Sequence, residues 1–121
     1  HLIINPSRDD VIAAYSESEF LVLPSRWELS PLTPLEGFAF KKPVISTNVH
    51  GIPSTITDRK NGILVKNEDF NELAEAIMEL INDKQKCLEY GLSGYNLVKT
   101  ECNSKSMAEK TLRMYNQIIN R

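Results

Sequence analysis

The chain has 121 residues, enough for one domain with its own core. Its 41% hydrophobic and 25% charged residues are the balance of an ordinary globular domain and exclude a disordered tail or a fibrous repeat. A formal net charge of −2 gives no electrostatic basis for binding nucleic acid or an anionic membrane surface, and no apolar run reaches the length of a membrane span.

His1-Leu2-Ile3-Ile4 opens directly on an apolar strand pattern with no leader, as expected of a piece of a longer chain. Leu2–Ile4 is predicted to be a short buried strand that ends at Asn5-Pro6. Ser7 then caps a helix, with Asp10 as its capping-box partner and Val11, Ile12 and Tyr15 on its apolar face. Phe20–Leu23 and Pro43–Thr47 read as further buried strands, and Ile63–Val65, after the Asn61-Gly62 turn, as a fourth. Between the second and third strands, Leu32, Leu35, Phe38 and Ala39 fall at helical spacing. Gly51-Ile52-Pro53 reads as a turn, followed by a short helical segment from Ser54 to Thr57.

Asp69 and Glu72 cap the clearest helix, whose apolar positions are Phe70, Leu73, Ala74, Ile77, Met78 and Ile81. A weaker helix over Lys84–Lys99 turns Leu88, Leu92, Tyr95 and Val98 inward and contains two glycines that lower its propensity. Ser104 caps a last helix that bears Met107, Ala108, Thr111, Leu112, Tyr115, Ile118 and Ile119. Both terminal helices are expected to be core elements. Cys87 and Cys102 follow no metal-ligand spacing and read as buried thiols of a reducing compartment. Apolar strands alternating with helices imply an α/β fold: a Rossmann-like parallel sheet flanked by helices, with residues 1–121 as a single domain.

The segment Pro24–Glu36 carries the chemistry. It leaves a buried strand, crosses a Ser/Pro-rich loop and enters a helix, and in an open parallel sheet ligands are held at such a place. Backbone N–H groups at a helix start suit a phosphate. Glu28 and Glu36 are poor phosphate partners but good acceptors for sugar hydroxyls, so the constellation fits a phosphorylated sugar or a nucleotide sugar. With Ser30 as cap, Pro31 takes the first helical position and Pro34 stays in the first turn. Leu32 and Thr33 then keep their N–H groups for phosphate oxygens.

In order, these residues resemble a known family. Glu28 and Glu36, with seven residues between them after Leu23-Pro24-Ser25, match the E-x7-E motif of retaining GT-B glycosyltransferases of the family-4 type. Lys42–Thr47 resembles the KPVIAT strand, Gly51-Ile52-Pro53 the GGIPE turn and Asn61–Val65 the NGLLV strand. Asp69–Ile81 resembles the family's D-x-x-x-LA-x-AI helix. The resemblance covers nearly the whole chain and implies part of a C-terminal, donor-binding domain. It further implies an N-terminal, acceptor-binding domain and an Arg/Lys pair for the donor pyrophosphate, neither of which lies in this sequence. Three positions depart from the pattern: Leu29-Ser30-Pro31 replaces Gly-Phe-Gly, His50 replaces the first glycine of the usual pair, and Ser54 replaces a glutamate.

The resemblance assigns Glu28 to the catalytic centre, as an electrostatic stabiliser of an oxocarbenium-like transition state. It assigns Leu29, Ser30, Pro31, Leu32, Thr33 and Glu36 to the donor, with Glu36 on the ribose hydroxyls. Two other readings stand beside these: Glu36 closing a capping box with Thr33, and Glu28 as a solvated loop carboxylate. Asn5-Pro6-Ser7 reads as a plain turn and cap near the same sheet edge, Trp27 as packing beneath the loop, and His50 as a loop residue. The last helix is expected also to brace the absent domain.

The function implied is retaining transfer of a sugar from a nucleotide-diphosphate donor to a glycan or glycolipid acceptor, without a metal or other cofactor. It belongs to cell-surface polysaccharide assembly in the cytoplasm, with peripheral attachment at the membrane face through the missing half. The alternative is a non-catalytic nucleotide-sugar-binding subunit that needs a partner chain. A receiver-like signalling domain also alternates strands and helices, but it needs acidic residues at strand ends, where this sequence has Asn5, Pro24 and Thr47.

Overall fold

The computed structural model describes residues 2–120; His1, at which the expected first strand pattern begins, and Arg121 lie outside them. In chain order the elements are α1 (Arg8–Glu17), β1 (Leu21–Leu23), α2 (Thr33–Ala39), β2 (Val44–Thr47), a short 3-10 turn (Ile52–Ser54), β3 (Gly62–Val65), α3 (Phe70–Asn82), α4 (Lys84–Thr100) and α5 (Ser104–Ile119). The three strands form a parallel sheet in the order β1-β2-β3, with Leu21 opposite Val44 and Val44 opposite Gly62.

All four residues of β2 are buried, as a central strand covered on both faces requires. Successive side chains point to opposite faces, and the two halves of the core follow that alternation. Val44 packs with Phe38, Val49, Ile52 and Ile56 on one face. Ile45 packs with Ile63, Val65, Ala76 and Leu80 on the other.

The strand expected at Leu2–Ile4 is not formed. These residues are coil, and Leu2 is 87% exposed. A strand needs a neighbouring backbone to satisfy its N–H and C=O groups, and among the described residues no strand pairs with the outer edge of β1. The capping box at Ser7 is present, with the Asp10 N–H donating to the Ser7 hydroxyl (3.2 Å) and Asp10 Oδ2 accepting from the Ser7 N–H (2.9 Å). Even so, α1 buries no residue, and Val11 and Ile12 lie exposed. Nor does α5 bury any residue, contrary to its expected place in the core. Its cap is Asn103, one residue earlier than expected, whose side chain accepts from the Ser106 N–H. Cys87 is buried as expected; Cys102 is exposed, and both thiols are free.

The inward faces of α3 and α4 are rotated from those the periodicity suggests. In α3 the core side is Leu73, Ala76, Ile77 and Leu80, while Phe70, Met78 and Ile81 face out. Asp69 caps this helix as expected, but the Glu72 carboxylate goes to the Lys66 N–H rather than back to the cap. In α4 Val98 packs on the core as expected, but Leu88 and Leu92 are exposed, whereas Cys87, Gly91 and Gly94 are buried. The reason is close approach to α2. A Cβ on Gly91 would stand 2.0 Å from the Lys41 carbonyl oxygen, and one on Gly94 would stand 2.3 Å from Phe38 Cδ1. The glycines that weaken the helix locally are what let it dock.

Gly91→Ala is therefore expected to destabilise the protein by about 1–3 kcal/mol in denaturant unfolding, because the new methyl meets backbone. The same change at an exposed helical site would stabilise by about 1 kcal/mol, so the sign of the effect checks the packing.

Candidate functional site

The loop that leaves β1 is anchored at its start by the end of the central strand. The buried Ser46 hydroxyl donates to the Leu23 carbonyl (2.7 Å), and the buried Thr47 hydroxyl donates to the Ser25 carbonyl. Two further bonds fix Glu28. The Ser25 hydroxyl donates to Glu28 Oε1 (2.9 Å), and the Gly51 N–H donates to the Glu28 carbonyl (3.1 Å). Glu28 is thus a half-buried, oriented carboxylate rather than a freely solvated one.

Gly51 is required by a close approach: a Cβ there would lie 1.5 Å from the Leu29 carbonyl oxygen. The preceding His50 has φ 40°, in the left-handed region that glycine enters at little cost and other residues rarely adopt. It is an exposed loop residue, as the sequence implies. Trp27 does not pack beneath the loop. It is 59% exposed, with its ring 5.9 Å from that of His50. The inward side of the segment is taken by Pro31 and Pro34, which are buried, and Leu29 and Leu32 face solvent.

The helix after the loop starts later than a Ser30 cap would give. The Glu36 N–H bonds the Leu32 carbonyl (2.9 Å), so Leu32 is the N-cap, Thr33 the first helical residue and Pro34 the second. No side chain caps this end. Thr33 cannot form the alternative capping box from inside the helix. Among the described residues no acceptor bonds the N–H of Leu32 or Thr33. Both therefore remain open to an incoming oxygen, as expected for helix-start amides.

Glu36 lies exposed in the first turn of α2, and its Oε2 accepts from the Tyr15 hydroxyl (2.7 Å). The Tyr15 ring stacks on Phe40, with centroids 5.4 Å apart and planes 19° from parallel. Burial, then the hydrogen bond and charge of Glu36, push the Tyr15 phenol up to about 12. Sequence reading placed Tyr15 only on an apolar helix face; a partner 21 residues away leaves no local signal. Ser25 was also missed, although a serine three residues before a loop glutamate is a usable one.

Asn5-Pro6-Ser7 forms the turn and cap expected of it. Across the strand ends, a cleft of about 60 Å³ is lined by Pro24, Arg26, Thr47, Val65, Lys66 and Phe70 among others. Among the described residues no three His, Cys, Asp or Glu side chains gather as a metal site would need. No helix there is long and apolar enough to cross a membrane.

Residues 1–97 match the family model of glycosyl transferases group 1. The chain belongs to this family. It is 37% identical over 98 residues to an uncharacterized glycosyltransferase of Methanocaldococcus jannaschii, a match that covers 81% of this chain and 28% of that protein. It is 32% identical over 110 residues to the capsular polysaccharide biosynthesis glycosyltransferase CapM of Staphylococcus aureus, covering 91% of this chain and 29% of CapM. Sucrose-phosphate synthase from Thermosynechococcus elongatus superposes with a TM-score of 0.83 at 29% identity, over 91% of this chain and 28% of that one. The fold is accordingly the Rossmann-like α/β architecture of the C-terminal half of GT-B glycosyltransferases, and the chain spans under a third of the length of these relatives.

The geometry around Gly51 has a measurable consequence. Gly51→Ala forces Leu29 aside, so it should cost about 1–3 kcal/mol of stability. In a backbone-amide NMR spectrum its largest shifts are expected at Glu28–Leu32, across the contact, rather than only beside residue 51.

Proposed function

We propose that this segment holds the nucleotide-sugar donor of a retaining glycosyltransferase whose acceptor site and basic diphosphate contacts lie in the rest of a longer protein. The observation that carries the reading is the β1–α2 connection. It presents an oriented Glu28, the N–H groups of Leu32 and Thr33 and the first-turn Glu36 along one short stretch after the strand. Glu36 accepts hydrogen bonds from the ribose hydroxyls, while the amides of Leu32 and Thr33 take phosphate oxygens at the positive end of the helix. Leu29 and Ser30, exposed between them, line the donor, and Pro31, expected from the sequence to do the same, is buried and supports the loop from beneath instead.

Transfer with retention passes through a transition state in which positive charge builds on the sugar ring. A carboxylate at Glu28, held by Ser25, stabilises that charge more than it stabilises the ground state, which is the condition for raising turnover. The departing diphosphate is neutralised by amides and by basic residues from elsewhere in the protein, not by a metal. An acceptor of the glycan class is supported by the relative of capsular polysaccharide synthesis. We place the reaction on the cytoplasmic side, with attachment to the membrane face through the remainder of the protein.

The two glutamates separate binding from chemistry. In the full-length protein, Glu36→Gln should weaken free nucleotide and nucleotide sugar alike, since both carry the ribose. Loss of a charge-assisted hydrogen bond costs roughly 1.5–3 kcal/mol, or about ten- to a hundredfold in affinity. Glu28→Gln should leave free nucleotide binding nearly unchanged and lower turnover. Calorimetric titration with UDP, GDP and ADP, set beside initial rates, reads both effects. Normal nucleotide binding by Glu36→Gln would remove the ribose assignment.

The isolated 121-residue chain should transfer no sugar from a panel of nucleotide sugars, because catalysis needs donor and acceptor held in line. Product formed by the purified segment would assign the acceptor site to these residues.

A further inference from the structure

Tyr15 is the one residue of α1 that is not exposed, and its hydroxyl is spent on a carboxylate in a different helix. Packing does not need that hydroxyl. The ring alone makes the stack on Phe40, and phenylalanine would make it equally well. A hydrogen bond to an exposed carboxylate adds little to folding, because water would replace either partner. What the hydroxyl does is limit orientation. A glutamate side chain on a surface turn samples many rotamers, and ordering it when a ligand arrives costs affinity.

We propose that Tyr15 is a positioning residue for donor binding: it holds the Glu36 carboxylate in the orientation that receives the ribose hydroxyls. The inference rests on the ribose reading given above. Tyr15 occupies one lone pair of Oε2, which leaves Oε1 and the other Oε2 lone pair for two adjacent hydroxyls. Phe40, four residues after Glu36 on the far end of α2, keeps the ring in place, so both ends of this short helix take part. With its phenol pushed up to about 12, Tyr15 remains a protonated donor at any working pH.

The test is Tyr15→Phe in the full-length protein, alone and with Glu36→Gln. Calorimetry with UDP, GDP and ADP should show about three- to tenfold weaker binding of whichever nucleotide the wild type takes, the range of one oriented hydrogen bond. The donor KM should rise by the same factor, kcat should change less than about twofold, and the melting temperature should hold within about 2 °C. In the Glu36→Gln background Tyr15→Phe should have no further effect, since the group it positions is gone. Wild-type affinity in Tyr15→Phe beside weakened binding in Glu36→Gln would overturn the role of Tyr15 and leave the ribose reading standing. An equal loss in both backgrounds would overturn it too, showing that Tyr15 acts without Glu36. Normal binding by Glu36→Gln, or no binding of any of the three nucleotides by the wild type, would remove the ribose reading and the Tyr15 role together.

Discussion

The end of β2 governs the site. Ser46 and Thr47 are polar side chains buried in the central strand, where a hydroxyl without a partner costs about 1–3 kcal/mol. Their partners are the carbonyls of Leu23 and Ser25, at the point where the chain leaves β1. The buried hydroxyls and the departing loop satisfy one another, so the direction of the loop is set by the core rather than by its own sequence. Glu28 inherits its position from that anchoring, through Ser25 on one side and Gly51 on the other.

This dependence explains how the loop tolerates residues that differ from the glycine-rich pattern it resembles. Pro31 and Pro34 fill the inner side, and the bulkier Leu29 and Leu32 turn outward without disturbing the strand ends. His50 adopts the left-handed conformation expected of the glycine it replaces. Gly51 cannot be replaced in the same way, because the obstacle is the backbone of Leu29 and not a torsional preference.

The positions of the three strands that form, the cap at Asp69, the capping box at Ser7 and the order of the motifs were legible because each is a local pattern, although β1, expected to be buried, leaves Val22 exposed at the sheet edge. Apolar runs and cap residues act within a few positions of themselves. Leu2–Ile4 misled because apolar content expresses a demand for burial without supplying the neighbour that satisfies it. The faces of α3 and α4 were misjudged for a related reason: apolar count favoured Phe70, Leu88 and Leu92, while α4 fits closely on α2 and the turn after it through Gly91 and Gly94 and reaches the core with Leu97 and Val98. Propensity marks such glycines as weaknesses, and only the tertiary contact reveals their use. At the candidate site, the E-x7-E spacing singled out Glu28 and Glu36, which the fold sets in the β1–α2 loop and in the first turn of α2. The bond from Tyr15 to Glu36 joins residues with no shared periodicity and was invisible until the two helices were placed.

The central claim is that Glu36 and the amides of Leu32 and Thr33 form one donor seat. The most direct measurement is a crystal structure of the full-length protein with a bound nucleoside diphosphate. The expected result is a ribose with both hydroxyls about 2.5–3.0 Å from the Glu36 carboxylate, Tyr15 still bonded to Oε2, and a phosphate oxygen on the Leu32 or Thr33 N–H. A nucleotide seated elsewhere, with Glu36 bonded only to Tyr15 and both amides facing solvent, would contradict it.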